Sequence, residues 1–198
     1  FILKFSKLCD NPNMDLSKKS KEEIIKTSVS QLGLTIENSL IELPIKKLYE
    51  ELAVAGINFR PSVYLTDSWG CPDGVPVIGM PFYIADQLLW DIEKEKMSVY
   101  GSGVDSTHDP EEVAQILRHE AGHAFSYAYS LGRLPALEGI FGVYGKPYND
   151  NFAPIAGSDK FVRHLEGWYA QKHPDEDFAE TFALLITPGF DWRKNYKG

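Results

Sequence analysis

Residues 109–125 read DPEEVAQILRHEAGHAF, and this stretch decides the fold. Asp109 is placed as a helix N-cap, Pro110 as the first helical residue, and Glu112 where a capping box needs it. Val113, Ile116, Leu117, Ala121, Ala124 and Phe125 then recur at helical spacing. Four residues along an α-helix turn the side chain through about 400°. His119 and His123 therefore leave one face a turn apart and can grip one metal ion. Neutral imidazole suits a borderline ion, zinc first, and a catalytic zinc site takes three protein ligands and keeps a position for water. Glu120 projects beside that face, where a carboxylate can take a proton from activated water and deliver it to a leaving amine. H-E-x-x-H on a capped helix thus predicts metal-assisted hydrolysis. The bland alternative is an amphipathic helix whose histidines are solvated or satisfied in a core. Gly122 costs about 1 kcal/mol of helix propensity, which is tolerable if another element must approach closely there.

The rest of the chain sets limits on partners. Its 198 residues, 43% of them hydrophobic, suffice for one packed domain. A formal charge of −8 argues against nucleic acid, which needs clustered Lys and Arg. The basic run Lys18-Lys19-Ser20-Lys21 meets Glu22 and Glu23 at once and reads as a solvated helix start. A membrane span takes roughly 18 consecutive apolar residues, whereas the apolar stretch Val75 to Ala85 is short and broken by Pro76, Gly79 and Pro81. The opening FILKFSKLC has lysines among its apolar letters and no convincing cleavage site, which argues against a signal peptide. Cys9 and Cys71 cannot make a disulfide framework. Reduced thiols in the cytoplasm are the expectation, an exported chain with one bridge the alternative.

Helices are expected over 15–31 and 44–56, the second opened by Pro44 and closed by Gly56. Strand-like runs follow at 61–66 and 75–84, separated by the turn-rich Trp69-Gly70-Cys71-Pro72-Asp73-Gly74. The metal helix should run from about 110 to 131. The Gly-, Pro- and Tyr-rich stretch 134–157 reads as a substrate-facing loop. Helices at 159–171 and 175–186 close the chain.

A catalytic site needs a third ligand, and His173-Pro174-Asp175-Glu176-Asp177-Phe178-Ala179-Glu180 is the richest source. Pro174 can open a helix whose first turn holds Asp175 to Asp177, where negative charge suits the dipole. Glu176 and Glu180 share a face four residues apart, as they would if one bound metal and the other oriented a ligating imidazole. Asp177 and, less simply, His164 and His173 are the alternatives. The plain reading is an acidic, capped surface helix. Cys71, next to Pro72 and Asp73, offers an inhibitory thiolate, though a buried turn cysteine is the simpler reading. Tyr127, Tyr129, Tyr144 and Tyr148 could line a cleft, yet tyrosines in such numbers mostly pack.

The segments WGCPDGVPVIGMPFYIAD, ILRHEAGHAFSYAY and FVRHLEGWYAQKHPDEDFAETFA resemble bacterial zinc-binding metallopeptidases of the gluzincin group of zincins. The resemblance runs from about Tyr64 to Trp192. A more distant similarity, to the anthrax lethal factor catalytic domain and the Mlc titration factor peptidases, covers H-E-x-x-H and a later tyrosine with E-x-F-A-E. It implies that Glu176 is the third metal ligand, that Glu180 supports the site from the outer shell, and that Tyr169, seven residues before Glu176, stabilises the transition state. Asp177 stands where the distant relatives have an aromatic residue. The implied fold is a single α+β zincin-like metalloprotease domain over 1–198, with a helical part at 1–57 and a catalytic core at 58–198. A small twisted sheet would pack on the H-E-x-x-H helix, with Val75 to Ile84 as the edge strand that holds an extended peptide, and a helical C-terminal part would carry Glu176. The implied activity is hydrolysis of peptides or proteins by one catalytic Zn2+, with Glu120 as general base. A non-catalytic zinc-stabilised interaction module is the rival, although a structural site has no use for Glu120 and prefers four closed ligands.

Overall fold

The computed structural model describes residues 15–100, 109–149 and 151–196. The chain is α+β: helices predominate around one parallel strand pair. Cys9 and the FILKFSKLC segment lie outside the described residues.

The expected helix at 15–31 is three short pieces. A 3-10 turn at Leu16–Lys18 precedes α1 (Lys21–Lys26), and another follows at Val29–Gln31. Ser20 is extended and opens α1 with a reciprocal cap: the Glu23 N–H donates to Ser20 Oγ at 3.2 Å and the Ser20 N–H donates to Glu23 Oε2 at 2.9 Å. Thr27 ends α1 in an extended conformation. Helix α2 (Glu42–Val54) starts two residues before Pro44, which sits in the first turn, where a missing N–H costs nothing. Its buried Ile45, Leu48 and Leu52 form the inward stripe.

Strands β1 (Ser62–Thr66) and β2 (Val77–Pro81) pair in parallel, Ser62 opposite Val77 and Thr66 opposite Pro81. The other edge of β2 is not open at its centre. Gly79 exchanges both backbone hydrogen bonds with Gly70, at 2.8 and 3.3 Å, so the 69–71 segment lies along that edge. The fit at 79 is tight: a Cβ there would come 2.8 Å from Thr66 Cγ2 and 3.2 Å from the Gly70 carbonyl oxygen. Helix α3 (Gln87–Tyr100) has no counterpart among the sequence expectations; Asp86 Oδ1 starts it by accepting from the Leu88 and Leu89 N–H groups.

Helix α4 (Pro110–Ala128) is the anticipated metal helix, ending three residues early. Asp109 caps it by accepting from the Glu111 N–H at 2.9 Å. A 3-10 turn at Leu131–Arg133 follows α4, and helix α5 (Pro135–Phe141) interrupts the expected loop at 134–157. No α-helix forms at 159–171. Only a 3-10 turn at Glu166–Gln171 is present, kinked where Gly167 (φ 80) and Trp168 (φ 58) are left-handed. The N–H groups of His164 and Leu165 donate to Glu180 instead of to a helix ladder, which removes the donors a helix would use. Helix α6 (Pro174–Ile186) and the short α7 (Trp192–Asn195) complete the chain.

One apolar core joins Leu48 and Leu52 of α2, Ile78 and Met80 of β2, Leu117 of α4 and Phe182 of α6. Through α2 the helical N-terminal part shares this core, while Leu16, Ile24 and Leu32 pack with Leu89 in a second cluster. Arg118 anchors α4 to α2 through a bidentate, nearly buried pair with Glu51, both contacts 2.8 Å. Among the described residues no helix is long and apolar enough to cross a membrane.

Candidate metal centre

Helix α4 delivers His119 and His123 to one face, and α6 crosses it to deliver Glu176. The two Nε2 atoms lie 3.1 Å apart, and Glu176 Oε2 lies 3.0 Å from His119 Nε2 and 3.2 Å from His123 Nε2. All three side chains are buried.

What stands behind the imidazoles decides what this group can hold. His119 Nδ1 donates to Glu180 Oε1 at 2.9 Å, and His123 Nδ1 donates to Asp175 Oδ2 at 3.1 Å. A carboxylate only accepts, so each Nδ1 carries a proton, and each imidazole, once neutral, presents its Nε2 lone pair inward. Two lone pairs and a carboxylate oxygen then meet at about 3 Å with nothing to bind them unless protons or a cation enter. The buried His119–His123–Glu176 group could hold a metal ion in that place.

The charges agree in sign. Burial disfavours imidazolium at both histidines, but Asp175 and Glu176 outweigh it and lift His123 to about 10, and Glu176 and Glu180 raise His119. Burial likewise opposes ionisation of Glu176, Asp175 and Glu180, yet their histidine partners hold all three below the usual carboxylate range. Glu180 is also fixed by the His164 and Leu165 N–H groups, at 2.8 and 2.9 Å to Oε2. Asp175 accepts from the Tyr127 hydroxyl at 2.6 Å and the Tyr148 hydroxyl at 3.3 Å.

A cavity of about 710 Å³ opens onto this group, lined among others by Trp69, Cys71, Glu120, Tyr127, Tyr148 and Tyr169. Glu120 is buried in its wall. Tyr169 packs edge-on against His119, ring centroids 5.7 Å apart.

His119, His123, Glu176, Glu120, Glu180 and Tyr169 are therefore brought together, with Glu180 bonded to an imidazole and only Glu176 in the convergent trio. Other candidates go elsewhere. Asp177 is not part of the trio, and burial first, then the Glu180 charge, raise its carboxyl to about 7. The His164 ring bonds the Gln115 carbonyl oxygen at 2.9 Å. His173 caps α6, accepting from the Asp175 N–H at 3.1 Å while its Nε2 donates to the Lys146 carbonyl at 2.8 Å. Cys71 lines the cavity but is no thiolate: burial first, then Glu120 and Asp175, push it up to about 12, and its Sγ–H donates to the Val75 carbonyl at 3.2 Å. Tyr129 packs on Phe59 and Phe125 outside the cavity. The cleft edge belongs to Trp69, Gly70 and Cys71 and not to the 75–84 segment, because their backbone covers β2 at Gly79. Asp175 is the residue sequence reasoning missed. Its acidity was explained by the helix dipole alone, although its place immediately before Glu176 was the available signal.

No family model, curated protein or solved structure matches this chain.

Proposed function

We propose that the chain is a zinc-dependent peptidase of zincin type, hydrolysing peptide bonds with Glu120 as general base and acid. The observation that carries the reading is the convergence of His119 Nε2, His123 Nε2 and a Glu176 oxygen beside Glu120 in one cavity. The donor set fits zinc. Ligand bonds of about 2.0–2.1 Å at tetrahedral angles separate the ligand atoms by about 3.3 Å, close to the observed 3.0–3.2 Å. Two imidazoles and one carboxylate leave a coordination position open, as catalytic sites do and closed structural sites do not. The resemblance of the H-E-x-x-H and E-x-F-A-E segments to gluzincins supports the same reading.

Zinc held there by His119, His123 and Glu176 would supply Lewis acidity toward a carbonyl and lower the pKa of water toward neutrality. The chain's own residues do the rest. Glu120 takes a proton from the attacking water and returns it to the amine nitrogen as the C–N bond breaks. Tyr169 donates to the carbonyl oxygen as negative charge develops on it. Asp175 and Glu180 hold the tautomers that aim both Nε2 lone pairs inward. Trp69 to Cys71 offer backbone along which an extended peptide can lie.

The test compares zinc-loaded wild type with Glu120→Gln on a mixed peptide library, reading new termini by mass spectrometry. Wild type should cleave roughly 10²–10⁴-fold faster while both proteins hold equal zinc. Equal cleavage by both, or none by zinc-loaded wild type, overturns the reading.

A further inference from the structure

We propose that Lys172 is a positioning residue of this cleft, clamping Tyr148 and Tyr169 as a pair of phenol donors to the carbonyl oxygen of a bound peptide. The proposal rests on the peptidase reading and adds to it a second phenol and a cation.

The two phenols come from separate segments. Tyr169 lies in the 3-10 turn at Glu166–Gln171 and Tyr148 in the stretch after α5. Both line the cavity, and they flank the ligand trio from opposite imidazoles. Tyr169 packs against His119, ring centroids 5.7 Å apart. The Tyr148 hydroxyl gives its one proton to Asp175 Oδ2, the oxygen that holds His123, over a long 3.3 Å, and lies beside Glu176; as a donor to a bound peptide it exchanges that bond for one to the carbonyl oxygen.

Lys172 joins them. In a 3-10 turn residues i and i+3 eclipse, which stacks Lys172 over Tyr169. Its Nζ is 3.3 Å from the Tyr169 oxygen, 5.0 Å from the centre of that ring and 5.6 Å from the centre of the Tyr148 ring. Among the described residues it forms no ion pair with a carboxylate, so its partners are one phenol and two aromatic faces. An ammonium has donors only, so the Tyr169 oxygen accepts from it. A hydroxyl that accepts from a cation becomes a stronger donor through its own proton. Tyr148 is also steadied by the His173 ring, stacked at 4.1 Å and 12°. Its neighbour His173 is fixed in turn as the cap of α6. Lys172 does not line the cavity, so it acts through the tyrosines.

The experiment uses the zinc-loaded full chain in two assays: turnover of a peptide the library identifies, and calorimetric binding of a phosphonate dipeptide, whose tetrahedral oxygens imitate the carbonyl oxygen under attack. Tyr148→Phe should lower kcat roughly 10²-fold and Lys172→Met roughly tenfold, with KM nearly unchanged. Phosphonate affinity should fall in step at unchanged zinc content, and Lys172→Arg should restore most of both. Wild-type kcat and phosphonate affinity in Tyr148→Phe would overturn the clamp. So would a Lys172→Met defect confined to KM or melting temperature, or one that Lys172→Arg does not rescue. Phosphonate binding needs no turnover, so the two readings separate. If zinc-loaded wild type cleaves nothing, the peptidase reading falls and the clamp is judged on phosphonate affinity alone. A wild type that does not bind the phosphonate overturns the clamp.

Discussion

Gly122 and Ala179 touch backbone to backbone: a Cβ on residue 122 would lie 2.8 Å from the Ala179 Cα and 3.1 Å from its carbonyl oxygen. The contact falls between the two histidines of α4 and three residues after Glu176 on α6, so it sets how closely the ligands approach one another. Gly122→Ala would gain about 1 kcal/mol of helix propensity. The backbone opposite cannot yield as a flexible side chain would, and overpacking costs about 1–3 kcal/mol. The variant should therefore melt lower and bind zinc more weakly, as read by thermal denaturation with and without the ion. A Gly122→Ala protein that is more stable and binds zinc as well as wild type would refute this account of the crossing.

The cap Asp109-Pro110 and the apolar recurrence through Phe125 made α4 legible, and with it the register of His119 and His123. Pro174 marked α6 equally well. Local signals could not show which acid faces which imidazole, because the α4–α6 crossing decides that. Glu176, Asp177 and Glu180 were separated before the structure only by resemblance, and Asp175 was not singled out. The expected helix at 159–171 failed for a tertiary reason, since Glu180 claims the N–H groups of His164 and Leu165. Helix α3 was hidden by its charged run of Glu and Lys, and its start rests on one aspartate, Asp86.

Asp175 and Glu180 each hold one Nδ1 proton, so their losses should look alike. Asp175→Asn and Glu180→Gln should each weaken zinc binding roughly 10–100-fold. Glu176→Ala should be worse than either, because it removes a donor from the trio itself. Competition against a chelator of known affinity reads all three. A silent Asp175→Asn, or a Glu180→Gln worse than Glu176→Ala, would contradict the assignment of these acids.

Cys71 should stay protonated well above neutral pH, its thiol pushed up to about 12 by burial. Alkylation with iodoacetamide, followed by mass spectrometry of the Cys71 peptide, should be slow at pH 8 and accelerate as pH approaches that value. Rapid labelling at pH 8 would show a thiolate and revive an inhibitory role for this residue.

Asp177 is raised from 3.8 to about 7 by burial, so between those values the folded chain holds a proton that the unfolded chain releases. Its contribution to stability therefore falls as pH rises through that window. Asp177→Asn should flatten the dependence and raise the melting temperature at pH 8. Parallel melting profiles for both proteins from pH 4 to 8 would exclude this origin.

The central claim is that His119, His123 and Glu176 hold zinc, and anomalous scattering at the zinc edge from crystals of the zinc-dialysed protein tests it most directly. The account predicts one peak about 2.0–2.1 Å from His119 Nε2, His123 Nε2 and a Glu176 oxygen. No peak there, or one whose ligands include Asp177, Glu180 or Cys71 in place of Glu176, would contradict it.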